Sequence, residues 1–121
     1  MSTSPKLKPL FWVGSAKPDL MELPLPVKKT FGYAFYLAQA GGKHLQAKPL
    51  RGFGSAGVLE IVADLRGSAY RAVYTVRFRE AVFVLHVFQK KAAYGRETPK
   101  HDLDLIKDRL KAARDAAEEL S

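Results

Sequence analysis

The sequence predicts an α+β fold: an N-terminal helical hairpin packed on an antiparallel sheet of about four strands, with a C-terminal amphipathic helix. Three patterns carry that reading. Between residues 27 and 38 apolar side chains recur at helical spacing. Between 58 and 88 three apolar, β-branched runs are joined by connectors too short for a parallel crossover. From 103 onward a second helical stripe extends to the end of the chain. At 121 residues the chain is the size of one domain, taken here as 1–121.

Each element has a local cause. Leu10-Phe11-Trp12-Val13, stopped by Gly14-Ser15, suits a short strand. Ser15 then offers an N-cap hydroxyl for a short helix through Leu23, with Pro18 tolerated in its first turn and Pro24 and Pro26 interrupting it. A second helix is expected over 27–40, where Val27, Phe31, Ala34, Phe35 and Ala38 share one face and Gly41-Gly42 stops it. Residues 42–57 read as a long loop of Gly, Lys, His, Pro and Arg, a type of segment that tends to carry function. Strands are expected over 58–63, 69–78 and 81–88. For the last helix, Thr98 is the expected N-cap and Pro99 fits the first turn. Leu103, Ile106, Leu110, Ala113, Ala117 and Leu120 form its apolar stripe.

Composition removes several function classes. The chain has no cysteine, so disulfides, thiolate catalysis and Cys-based metal sites are excluded. No apolar run reaches the roughly 20 residues of a membrane-spanning helix, and the first six residues lack the apolar core of a signal peptide, so a cytoplasmic, non-membrane protein is expected. His44, His86 and His101 show no metal-binding spacing, and no metal or cofactor is expected. The Gly52–Gly57 stretch contains GxGxxG but precedes a strand, whereas a dinucleotide fingerprint follows one.

The positive clue is charge. The net formal charge is +8, and the excess lies before the last helix: 15 basic against 6 acidic residues through Glu97, then 5 against 6. Such a field favours a polyanion, nucleic acid or an acidic protein, although solubility alone would also account for it. Strand alternation groups Arg71 with Val73, Thr75 and Arg77, and His86 with Val82, Val84, Phe88 and Lys90, opposite the apolar set Phe83, Leu85 and Val87. Burying the apolar sets under the helices turns Arg71, Arg77, His86 and Lys90, with Glu60, toward a basic, phosphate-binding surface. Each residue has a plainer role open to it. Arg71 suits a cross-strand pair with Glu60, Arg77 protection of a sheet edge, His86 a hydrogen-bonded core position, Lys90 and Lys91 solvated surface, and Tyr94 packing. Groups of this kind suit phosphodiester cleavage by a ribose 2′-hydroxyl, with Lys, His or Tyr moving protons and Arg or Lys holding phosphate charge.

The runs Lys8-Pro9-Leu10-Phe11-Trp12-Val13-Gly14-Ser15, Gly41-Gly42-Lys43, Lys48-Pro49-Leu50-Arg51-Gly52-Phe53-Gly54, Tyr70-Arg71-Ala72-Val73-Tyr74 and His86-Val87-Phe88-Gln89-Lys90-Lys91, followed by Thr98-Pro99, resemble the phage-derived, HigB-like branch of the RelE/ParE toxin superfamily. The resemblance covers the chain from about Lys8 to its end. It implies two N-terminal helices against an antiparallel sheet, a C-terminal helix, and the toxin half of a type II toxin–antitoxin pair. RelE and HigB relatives enter the ribosomal A site and cut mRNA, leaving a 2′,3′-cyclic phosphate. By this resemblance Arg71, His86 and Lys90 are the catalytic candidates, and Lys48, Arg51, Arg77, Lys91 and Tyr94 the RNA- or phosphate-binding ones. The implied partners are a helix-turn-helix antitoxin, the ribosome and mRNA, with operator DNA reached only through the antitoxin. Two other readings remain open on the same fold: a ParE-like inhibitor of DNA gyrase, and an inactive relative that only binds its antitoxin.

Overall fold

The computed structural model describes residues 6–54, 57–90 and 98–121. Eight elements follow in chain order: β1 (Leu10–Trp12), α1 (Ala16–Met21), α2 (Leu25–Gln39), β2 (Lys48–Pro49), β3 (Val58–Leu65), β4 (Ser68–Thr75), β5 (Val82–Lys90) and α3 (Lys100–Leu120). The strands form one mixed sheet of five in the order β1-β5-β4-β3-β2. The three long strands are antiparallel neighbours, as their short connectors require. The two short ones add what the sequence did not announce: β1 runs parallel to β5, and β2 forms within the segment expected to be loop, pairing antiparallel with β3.

Local chemistry explains the boundaries. The β3–β4 hairpin closes on Arg66-Gly67, both at positive φ (50° and 84°), the two-residue geometry that matches strand twist. Helix α2 starts two residues before the expected 27, because Pro26 is accommodated in the first turn rather than ending it. Its five expected core residues are all buried. Neither expected side-chain cap forms. Ser15 directs its hydroxyl to the Asp19 carboxylate (2.7 Å), and α3 begins after Pro99 while Thr98 turns into the sheet.

Two cores lie on the two faces of the sheet. On one, α1 and α2 cover Leu59, Ile61, Ala72, Tyr74, Val82, Val84 and Val87, with Trp12, Phe35 and Tyr74 in successive edge-to-face contacts. The Tyr74 hydroxyl is buried without a hydrogen-bond partner among the described residues, and burial pushes its pKa up to about 12. On the other face, α3 lays Ile106, Leu110, Ala113 and Ala117 over Val58, Val73, Phe83 and Leu85. Leu120, expected in that stripe, is about half exposed.

Arg109 joins the layers. From α3 it donates to the Leu85 carbonyl (2.9 Å) and to the Ser15 hydroxyl (3.1 Å). Its guanidinium lies over Gly14, which has φ +57°, and a Cβ built there would come within 2.8 Å of it. Gly14→Ala therefore combines a left-handed backbone with a steric conflict. We expect a loss of about 1–3 kcal/mol in urea unfolding of the folded chain.

Candidate active site

The site is built by register. Lys48 pairs with Glu60, Glu60 with Val73, and Val73 with His86, so one transverse row runs through β2, β3, β4 and β5. Directly paired residues project to the same side. Arg71 and Phe88 form the next pair on that side, and Ala69 and Lys90 the one after. Lys48, Glu60, Arg71, His86 and Lys90 thus share a face, the one that α3 covers.

A β-bulge brings Phe83 and Leu85 onto that same face. Val73 pairs with His86 but Tyr74 with Val84, leaving Leu85 as the extra residue of β5. Uninterrupted alternation would have kept Phe83, Leu85 and Val87 together and placed Val82 and Val84 with His86. Instead Phe83 and Leu85 lie in the core under α3, while Val82, Val84 and Val87 lie under α1 and α2. The Leu85 carbonyl at the bulge is the one held by Arg109.

The expected open basic surface is also corrected, since the start of α3 closes over it. Arg71 is 4% exposed and His86 7%. The Arg71 guanidinium donates to the Glu60 carboxylate (3.1 Å) and to Thr98 Oγ1 (3.0 Å), and Thr98 in turn donates to the same Glu60 oxygen (3.3 Å). The pairing of Arg71 with Glu60 is therefore real, and it is diagonal rather than directly cross-strand. His86 stacks on Phe88 with ring centroids 4.4 Å apart, and its Nε2 meets Asp102 Oδ1 at 2.8 Å. With Asp102 ionised, Nε2 carries the proton and Nδ1 is the acceptor. Nδ1 is buried without a hydrogen-bond partner among the described residues. The sequence offers Thr98 only as a helix cap and gives Asp102 no part in the site, because nothing in a linear pattern tells where the first turn of α3 lands.

The remaining candidates separate. Lys48 is exposed on the row, and Lys90 is half-buried at the far end of β5. Arg51 is exposed in the turn after β2. Arg77 is exposed beyond the end of β4, at the opposite end of that strand from the Ala69–Lys90 pair. Lys91 and Tyr94 lie outside the described residues. Among the described residues no three His, Asp or Glu side chains converge as metal ligands would.

Burial lowers the pKa of His86 below its ordinary value, opposed by the hydrogen bond and charge of Asp102 and by Asp19, and aided by Arg109. The imidazole is therefore neutral at pH 7 and competent to accept a proton. The same shift makes stability depend on pH. Protonation favours the unfolded chain, so the contribution is complete above pH about 6.5 and is lost as pH falls through that value toward the folded-state pKa. Urea midpoints measured between pH 7.5 and 5.5 should fall more steeply for the native chain than for His86→Gln.

A hairpin of helices on one face of a mixed sheet, a C-terminal helix on the other and a cationic cluster between them fit the RelE-like class of small toxin folds. A family model described as Phage derived protein Gp49-like (DUF891) matches residues 18–111, from α1 through most of α3, and the chain belongs to that family. The family is associated with RelE-like toxins of toxin–antitoxin systems. No curated protein matches the chain. Among the described residues, no helix is long and apolar enough to cross a membrane.

Proposed function

We propose that the chain is the toxin of a type II toxin–antitoxin pair, of the HigB-like branch, and that it cleaves mRNA on the ribosome in the cytoplasm. The observation that carries this reading is the gathering of Lys48, Arg71, His86 and Lys90, from β2, β4 and β5, on one sheet face. Family membership and the basic charge before α3 support it.

In this reading the ribose 2′-hydroxyl attacks the adjacent phosphorus and the bond to the 5′-oxygen breaks, giving a 2′,3′-cyclic phosphate and a free 5′-hydroxyl. One proton leaves the attacking hydroxyl and one reaches the departing oxygen. Neutral His86 is suited to the first transfer and Lys90 to the second. Arg71 exchanges the Glu60 carboxylate for a phosphate oxygen, a swap between two planar anionic partners that its fork can bind alike. Lys48, already exposed, holds a flanking phosphate, and the ribosome aligns the 2′-hydroxyl for in-line attack. Engagement of Arg71 and His86 requires the first turn of α3 to part from the sheet.

The test is primer extension on mRNA in a purified translation system. Cuts are expected only in ribosome-bound message, weakened at least tenfold by Lys48→Ala or Lys90→Ala and lost in Arg71→Lys. Intact message together with blocked DNA supercoiling would replace this reading with gyrase inhibition. Full cleavage by a folded Arg71→Ala, His86→Ala double variant would remove the site assignment.

A further inference from the structure

On the far side of the molecule, α2 presents an unpartnered face. Leu25, Lys29, Gly32 and Tyr36 are all exposed and follow one another at spacings of 4, 3 and 4, with exposed Tyr33 beside them. That spacing is the seam one helix offers to another. Met21 at the end of α1 (58% exposed) extends the apolar strip beyond Leu25 (59% exposed). Of the eight exposed large apolar side chains among the described residues, Met21, Leu25, Tyr33 and Tyr36 lie on this hairpin. Scattered exposed apolar residues need no explanation, whereas Leu25, Tyr33 and Tyr36 gathered on one helix face mark a binding surface.

Gly32 is the second, independent sign. Glycine is the poorest helix former after proline, yet it occupies the middle of a 15-residue helix where a Cβ would meet nothing within 4 Å. No contact among the described residues calls for it. A backbone approaching closely from outside would. The hairpin is basic on balance: Lys17 and Lys29 are exposed and Lys28 reaches back to the Met21 carbonyl, against Asp19, whose carboxylate accepts from Ser15, and exposed Glu22. Tyr33 is braced edge-on by His44 (5.8 Å), which fixes a shallow apolar ridge rather than a slot for stacking bases. A second copy of the chain would set lysine against lysine.

We infer that the outer face of α2, centred on Gly32, docks an acidic amphipathic helix of a partner protein. The proposal rests on the toxin reading for the partner's identity, the antitoxin, and not for the surface. It places the inhibitor on the side of the sheet opposite Arg71 and His86, so neutralisation would exclude the toxin from its target without covering those residues.

The full chain, labelled with ¹⁵N, is titrated with a synthetic 21-residue helix bearing Leu at its seam and Glu on both flanks, with the same helix bearing Lys in place of Glu, and with a single-stranded RNA. The acidic helix should shift the amides of residues 25–36, and the basic one should not bind. Gly32→Leu should raise the thermal midpoint of the free chain while weakening the acidic helix at least tenfold, a combination that a structural role for Gly32 cannot give. Lys29→Glu should weaken it likewise. The proposal is overturned if the acidic helix fails to bind, if it shifts the Arg71 face instead, if RNA occupies α2, or if Gly32→Leu leaves affinity unchanged. The toxin reading is checked separately by co-purification with the protein encoded in the neighbouring reading frame: failure there, with the helix still bound, removes that reading and leaves the surface.

Discussion

Arg71→Ala should lower stability by about 2–4 kcal/mol as well as abolish RNA cleavage. The change strands the Glu60 carboxylate and the Thr98 hydroxyl beneath α3. Breaking a buried ion pair by removing one partner costs about 3–5 kcal/mol, and the lower range applies because the Glu60 side chain retains 19% exposure. Adding Glu60→Gln to Arg71→Ala should recover part of the loss, since no charge is then left behind. Cleavage should not return in the double variant. Urea unfolding and primer extension on the same three proteins separate the two roles, and recovery of both together would make Arg71 structural only.

Arg109→Ala should have the next largest effect, about 1.5–3 kcal/mol, the range for a hydrogen bond to a charged donor when the acceptor stays buried. Leu85 is fully buried, so its carbonyl cannot simply turn to water. The consequence is not confined to stability. Once the carbonyl is released, β5 can relax its bulge, and a shift of one residue sends His86 toward the face occupied by α1 and α2. Arg109→Lys should rescue little, because one ammonium cannot span the Leu85 carbonyl and the Ser15 hydroxyl as the guanidinium does. Loss of the His86–Asp102 contact in NMR spectra of Arg109→Ala would report the shift. An unchanged contact would show that the bulge stands without its donor.

These two residues also show how far the sequence could be read. Helix α2 and the three long strands were legible because their apolar periods are unbroken and their connectors short. The shared face of Glu60, Arg71, His86 and Lys90 followed from alternation. What alternation could not supply was the bulge at Leu85, which is fixed by a side chain more than twenty positions away. Strand β1 was expected, though not its parallel pairing to β5. Strand β2 was missed because two exposed residues carry no period at all. Thr98 and Ser15 have the right chemistry for helix caps, and they turned away because a guanidinium and a carboxylate offered stronger partners. Whether α3 closes over Arg71 and His86 was undecidable from its amphipathic stripe, which says that a helix must be covered and not by what.

The outermost strand, β1, is the first part of the sheet to be synthesised, yet it is held by β5 and, just beyond it, by Arg109 of the final helix. The tie between β5 and the segment after β1 is therefore completed only once residue 109 has been added to the chain. Fragments released by premature termination would lack that closure and be open to proteases.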